Sequence, residues 1–103
     1  MNVIAPRTLR EFWQDHDQAE TPLRVWLRVV QKASYGNVGE VRADFPTADL
    51  AKTDRGNTLT IFNIGGNDFR LVTFISYAAQ RVYIRHVMTH AEYTKWNRRG
   101  RPE

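Results

Sequence analysis

In the first third of the chain, apolar residues recur every three or four positions, which is the spacing of one face of an α-helix. Thr8 and Glu11 form a capping-box pattern at the start of this stretch, so the sequence predicts a first helix over about residues 9–19. The short apolar segment before it, 2–5, ends at Pro6. Because proline cannot donate a hydrogen bond to a neighbouring strand, this segment is predicted to be an edge strand.

A second helical stripe begins about two residues after the first helix ends. Thr21 and Pro22 suit the N-cap and the first position of a helix, and Ser34-Tyr-Gly36 is expected to end it. Since the connection is so short, we expect two antiparallel helices whose apolar faces point to the core. The apolar positions of the second stripe are Leu23, Trp26, Leu27 and Val30.

Residues 37–57 follow neither a helical nor a strand period, and Gly, Pro, Asn and Asp interrupt them. We expect a long irregular loop that Val41, Phe45 and Leu50 anchor to the core. A loop of this length in a small domain is often functional.

From Thr58 the period changes to two, which is typical of β-strands. The sequence predicts three consecutive strands over 59–64, 69–77 and 81–87, joined by a tight Gly-rich turn and by a turn at 78–80. The middle strand is apolar on both faces, which predicts a central position in the sheet. Thr89 and Glu92 form a further capping box, which predicts a short helix to about residue 97. A frayed basic tail over 98–103 is expected after it.

This order of elements predicts one α+β domain over residues 1–103, with two N-terminal helices packed on a twisted, mostly antiparallel sheet and a short C-terminal helix.

The chain has no cysteine, which excludes a disulfide framework and a zinc ribbon and favours a cytoplasmic location. No apolar run approaches the roughly 18 residues of a membrane span. The N-terminal segment lacks the apolar core of a signal peptide.

The charge of the chain limits which kinds of molecule it is expected to bind. The formal net charge is +4, and 12 of the 15 basic residues are arginine. Residues 81–103 contain six basic and two acidic residues, an excess equal to that of the whole chain. Because guanidinium groups match phosphate oxygens well, a nucleic acid is the favoured partner, although ribosomal surfaces, acidic proteins and anionic lipids remain alternatives.

The expected hairpins gather polar residues at one end of the sheet. If Ala79-Gln80 is a two-residue turn, Arg70 lies opposite Thr89 and beside His90. A tight Gly-rich turn places Asn63 opposite Arg70 or one position away. His90 and Tyr93 are three residues apart and share a helix face. Arg85 and His86 are expected on opposite faces of their strand, so at most one of them can join the group.

These residue types suit cleavage of RNA, whose 2′-OH is its own nucleophile. Histidine can act as base or acid near neutral pH, and Arg70 can hold the charged phosphate. Tyr93 can stack on a base or donate a proton. No carboxylate cluster accompanies them, which argues against a two-metal nuclease. Structural alternatives stay open: His90 as a helix start, Arg70 in a salt bridge, and Tyr93 in packing.

Two segments, 62–72 and 82–93, closely resemble the HigB family of bacterial toxins, and residues 41–49 are similar to that family too. The resemblance implies a RelE-like fold and a metal-independent mRNA interferase without a cofactor, acting in the ribosomal A site. It also implies a HigA-type helix-turn-helix antitoxin, with DNA contacted only through the toxin–antitoxin complex and no membrane partner. In related toxins a strand arginine and a C-terminal histidine or tyrosine recur, and Arg70, His90 and Tyr93 occupy comparable places.

Two alternatives to a nuclease are a ParE-like module that inhibits a protein such as gyrase, and a nucleic-acid-binding module without catalysis. Under the nuclease hypothesis, the residues predicted to bind RNA around the catalytic group are polar or basic: Asn63, Asn67, Arg85, Lys52, Lys95, Arg98 and Arg99.

Overall fold

The computed structural model describes residues 1–103 and contains four α-helices, one short 3-10 helix and five strands. In chain order they are β1 (Asn2–Ile4), α1 (Arg7–Asp15), the 3-10 helix (Asp17–Ala19), α2 (Glu20–Lys32), α3 (Val38–Asp44), β2 (Asp49–Lys52), β3 (Thr58–Ile64), β4 (Phe69–Ser76), β5 (Arg81–Thr89) and α4 (His90–Arg98). The predicted α+β class is therefore confirmed.

The five strands form one mixed sheet in the order β1-β5-β4-β3-β2. β1 runs parallel to β5, and the other neighbouring pairs are antiparallel. β4 lies in the middle and β1 at an edge, so the predictions for both strands are confirmed. The central strand can be apolar on both faces because each face is covered.

The two faces of the sheet carry separate clusters of buried side chains. The first cluster combines residues of α1 and α2, such as Leu9 and Trp26, with Leu71 of β4. The second includes Val72 of β4 and Trp96 of α4. Because side chains alternate along β4, Arg70 lies on the same face as Val72, under α4. This face carries the candidate site.

The helix starts differ from the expected ones in the N-terminal half. α1 begins at Arg7 behind Pro6, which has helical dihedral angles and makes no side-chain cap, so the Thr8–Glu11 capping box was wrong. The ring of Pro6 holds φ near its helical value and lets the helix begin earlier. The 3-10 helix leads directly into α2, so Thr21 is not its N-cap. The capping box at Thr89 and Glu92 is confirmed by reciprocal hydrogen bonds of 3.2 and 2.8 Å.

The long irregular loop expected over 37–57 was also wrong, because this segment contains α3 and β2. The side chain of Asn37 accepts a 3.0 Å hydrogen bond from the Glu40 amide and caps α3. An Asn followed three residues later by Glu is a cap signal that the sequence did contain. Val41 is buried as expected, whereas Leu50 is 41% exposed because Ala51 takes the inward position on β2.

The chain after α4 folds back against the loop between β2 and β3, whereas the sequence predicted a frayed tail. The indole of Trp96 donates to the carbonyl of Pro102 at 2.9 Å. The Glu103 carboxylate accepts hydrogen bonds from Thr53 at 2.6 Å and from Asn57 at 2.7 Å. These bonds lower the pKa of Glu103, the bond from Thr53 most.

Candidate functional site

Arg70 is the one charged residue among the buried side chains, at 9% exposure. Its Nη1 donates hydrogen bonds to the carbonyls of Asn67 and Phe69, both at 3.1 Å. These bonds fix the guanidinium beside the turn at residues 65–68. Because both use Nη1, the Nε and Nη2 donors are left for other acceptors. Arg70 is thus positioned and still able to bind an anion.

Tyr93 lies over this guanidinium, with 5.5 Å between the Arg70 Cζ and the centre of the tyrosine ring. That distance is within the range of a cation–π contact. The ring of Tyr93 also packs against Trp96 one helical turn later, with 5.9 Å between ring centroids. The structure therefore brings Arg70 and Tyr93 together, as the sequence predicted.

His90 is the first residue of α4 and its side chain is exposed. Its backbone amide donates to the carbonyl of Asp68 at 3.0 Å, which ties the helix start to the Gly-rich turn. Arg70 pairs with Met88, and Thr89 pairs with Phe69, so the expected pairing of Arg70 with Thr89 was wrong by one residue. The β4–β5 turn spans four residues, 77–80, rather than two, which shifts the register by two residues, and a β-bulge between Val72 and Thr73 shifts it back by one.

Asn63 pairs directly with Arg70 across β3 and β4, and the two residues share the sheet face under α4. Asn67 lies in the exposed turn, and its carbonyl is one of the two acceptors for Arg70. Gly65 and Gly66 in the same turn have φ values of +61° and +70°, which glycine adopts without strain. The turn therefore holds the Arg70 guanidinium in position through the Asn67 carbonyl.

A β-bulge in β5 changes the expected position of Arg85. Val72 pairs with His86 and Thr73 with Ile84, so Arg85 is the extra residue. A bulge redirects side chains locally. The Arg85 guanidinium lies 5.7 Å from the ring of Phe74, which packs on the second cluster. The expectation that Arg85 and His86 lie on opposite faces was therefore wrong.

His86 is half-buried, and its ring lies 5.8 Å from that of Trp96. Burial lowers the pKa of His86 below its usual 6.5, and the positive charge of Arg85 lowers it further. The imidazole is therefore neutral at pH 7 and able to accept a proton. The sequence alone did not reveal this position of His86, because no local signal indicates the bulge.

Two further basic candidates border the same face. Lys95 and Arg99 line an open groove of about 360 Å³ beside α4, together with Met88, Glu92 and Trp96. Arg98 is exposed on the same helix.

Lys52 is not brought to this face. Ala51 belongs to the second cluster, and side chains alternate along β2, so Lys52 points to the other side of the sheet. It is the one predicted RNA-binding residue that the structure separates from the group.

No three His, Cys, Asp or Glu side chains are grouped closely enough to hold a metal ion. None of the helices combines the length and the apolar character required to cross a bilayer. The chemistry available at the site is thus that of guanidinium, imidazole and phenol groups on a basic surface.

Comparison with known proteins decides the family. Residues 19–96 match the model of the HigB toxin family, which is described as the RelE-like toxic component of a toxin-antitoxin system. The chain belongs to the HigB toxin family. A HigB relative from Escherichia coli strain K12, named mRNA interferase toxin HigB, is 32% identical over 94 residues, which cover 90% of this chain and 88% of the relative.

Two other HigB relatives are each named mRNA interferase HigB. The one from E. coli O157:H7 has the same identity and coverage as the K12 protein. The one from E. coli O6:H1 is 26% identical over 98 residues, which cover 95% of this chain and 93% of that protein. The matched region includes Arg70, His90 and Tyr93, so the three candidate catalytic residues lie inside the HigB family match.

Proposed function

We propose that this HigB family chain is the toxin of a type II toxin–antitoxin system, and that it inhibits translation by cutting mRNA. The observation that carries the proposal is the buried Arg70, held by two carbonyls and covered by Tyr93, with the exposed His90 three residues before Tyr93 on α4. An arginine whose position is fixed before the substrate binds, and which still has free donors, can stabilise a transition state that gains negative charge.

The reaction is an in-line attack of the RNA 2′-oxygen on the adjacent phosphorus. A general base removes the 2′-proton, the bond from phosphorus to the 5′-oxygen breaks, and a general acid protonates that oxygen. The products are a 2′,3′-cyclic phosphate and a 5′-hydroxyl, and water then opens the ring to a 3′-phosphate. The proposal requires neither a metal ion nor a cofactor.

The positions of the side chains support the following roles. Arg70 binds the phosphate, and His90, exposed at the start of α4, acts as base or acid. Tyr93 supplies the second proton transfer or stacks on a base. His86 is a second candidate for the base, because its lowered pKa keeps it neutral at pH 7.

Asn63 and Asn67 orient the RNA next to Arg70, and basic residues bind its phosphates outside the scissile bond. Arg85 lies on the site's face of the sheet, while Lys95 and Arg99 border the groove beside α4. Arg98 extends the positive surface. Lys52 has no part in this arrangement because it lies on the opposite face of the sheet.

Membership of the HigB family supports the following proposal for the cellular setting. The fold is RelE-like, the chain works in the cytoplasm, and the mRNA is cut in the ribosomal A site. A HigA-type helix-turn-helix antitoxin neutralises the toxin and is responsible for any contact of the complex with DNA.

Two substrates test the proposal directly. A purified ribosome–mRNA complex is incubated with the protein in a magnesium-containing buffer that keeps ribosomes intact, and products are mapped by primer extension. A second mRNA carries a single 2′-deoxy nucleotide at the mapped site. We expect cleavage of the first RNA, a cyclic phosphate by mass spectrometry, and no cleavage at the deoxy position.

Cleavage that continues at the 2′-deoxy position contradicts attack by the 2′-oxygen. Growth arrest with intact transcripts, unchanged in Arg70→Ala and His90→Ala, contradicts the nuclease function as a whole and supports a ParE-like toxin that acts on gyrase. Bound but uncut mRNA supports a module without catalysis. Cleavage of free RNA at the same rate as ribosome-bound RNA contradicts the ribosome dependence alone.

A further inference from the structure

A second basic groove lies on the far side of the sheet from Arg70. Helices α1 and α2 contribute residues such as Leu9 and Leu23 to the first cluster, whereas Arg70 lies on the face that α4 covers. Between α1 and α2 is an open groove of about 220 Å³. It is lined by Arg10, Trp13, Arg24, Leu27, Arg28 and Gln31.

Three arginines line this groove, and only one of them has a carboxylate partner. Arg24 pairs with Glu20 at 2.7 Å, and the protein's other ion pair joins Arg7 to Glu11 outside the groove. Arg10 and Arg28 are thus left unpaired. Like charges held near one another repel, and an anion bound between them would relieve that repulsion.

The lining favours a phosphate backbone over an acidic protein segment. Protein partners usually anchor an aromatic or aliphatic side chain in a pocket. The aromatic residue here, Trp13, is only 8% exposed, and the Arg24 guanidinium lies 4.7 Å above its ring. The groove therefore offers hydrogen-bond donors of fixed charge but no open apolar pocket.

We propose that the groove between α1 and α2 is a second RNA-binding site, which binds the phosphate backbone through Arg10, Arg24 and Arg28. Arg24 and Arg28 are one helical turn apart on α2, a rise of about 6 Å, so they contact successive points along one strand. Contacts of this kind position an RNA without reading its sequence. The inference rests on the proposed function in taking RNA as the ligand.

The position of the groove determines which RNA it binds. The molecule measures 23 Å along its shortest axis, and the groove and the candidate cleavage site lie on opposite sides of the sheet. An RNA segment that spans only the scissile bond at Arg70 therefore leaves the groove free. The groove binds either a distant part of the same RNA or a separate RNA that holds the toxin in place.

Binding is measured with a fluorescein-labelled 20-nucleotide RNA that carries 2′-O-methyl groups throughout and so lacks the nucleophile. Fluorescence anisotropy gives Kd at several KCl concentrations for the wild type and for Arg10→Gln/Arg28→Gln. We expect the double variant to bind this RNA roughly tenfold more weakly than the wild type at low salt. The slope of log K against log salt should fall by about 0.7 for each phosphate contact removed.

The matched control is Arg7→Gln/Arg81→Gln, which removes the same charge from exposed positions outside both basic surfaces. Glutamine is a good helix former, and thermal unfolding of each variant checks its fold. Equal weakening in the two double variants, or none in the groove variant, overturns the proposal. The proposal is also overturned if the groove variant binds RNA as the wild type does but loses binding to labelled polyglutamate. That result would indicate a protein partner.

Single-turnover cleavage of ribosome-bound mRNA at saturating protein, measured for the same variants, separates this inference from the proposed function. Saturating protein offsets weaker binding, and the groove lies on the far side of the sheet from Arg70, so the groove variant should cut this mRNA at the wild-type rate. A large loss of that activity contradicts the separation of the two sites. If the wild type cuts no RNA while the groove variant still loses affinity, the proposed function fails and the second RNA site stands.

Discussion

Arg70 has two proposed tasks, which are to hold the Gly-rich turn and to bind the phosphate. Replacing Arg70 by lysine tests both, because lysine keeps the charge but loses the planar arrangement of donors. Arg70 donates two hydrogen bonds from Nη1 to the carbonyls of Asn67 and Phe69. A lysine ammonium in the same place can retain one of them. Hydrogen bonds from charged groups contribute about 1.5–3 kcal/mol each, so Arg70→Lys should be destabilised by about that amount.

For a domain of about 100 residues, 1 kcal/mol corresponds to roughly 4 °C in Tm, so Tm should fall by roughly 6–12 °C. The loss of activity should be larger. Lysine cannot hold the carbonyls and present two donors to the phosphate at once, and removal of one oriented donor typically reduces the rate by about 10²–10³-fold.

Both quantities are measurable on the same protein preparations. Thermal unfolding by circular dichroism gives Tm, and single-turnover cleavage well below that temperature gives the rate of the folded enzyme. Arg81→Lys, at an exposed position of β5, is the control for the substitution itself. A folded Arg70→Lys protein that cuts RNA within threefold of the wild-type rate would show that Arg70 only supports the Gly-rich turn. An unchanged Tm would refute the estimate from the two carbonyl contacts.

Three further predictions concern single side chains. His90→Ala should cut RNA about 10²–10⁴-fold more slowly at an unchanged Tm, because the side chain is exposed; near-normal single-turnover rates would exclude it as base or acid. The folded state holds the pKa of His86 below 6.5, so the unfolded state binds a proton more readily, and the free energy of unfolding should fall as pH drops below 6.5 towards the folded-state pKa. Urea titrations should find this part of the pH dependence missing in His86→Phe. Asn37→Ala should lower the free energy of unfolding by about 1 kcal/mol through loss of the α3 cap, whereas Thr8→Ala, which removes no cap, should have a much smaller effect in the same titrations.

Patterns confined to neighbouring residues were sufficient for much of the fold. The period of two after Thr58 predicted β3, β4 and β5, and the two-sided apolar character of β4 predicted its central place. The capping box at Thr89 set the start of α4 and with it the spacing of His90 and Tyr93. The same kind of pattern predicted a cap at Thr8 that does not form, because the helical dihedral angles of Pro6 let α1 begin earlier.

Outside residues 37–57, the amino-acid sequence by itself thus determined the element types, and it also determined the central strand and the presence of Arg70 and Tyr93 at one end of the sheet. Only the tertiary structure decided the strand register, the β-bulge that moves Arg85 beside Phe74, and the groove that gathers Arg10, Arg24 and Arg28. The physical reason is the range of the interactions. A helix cap or a strand period depends on residues a few positions apart, whereas register, bulges and grooves depend on how separate elements pack against one another.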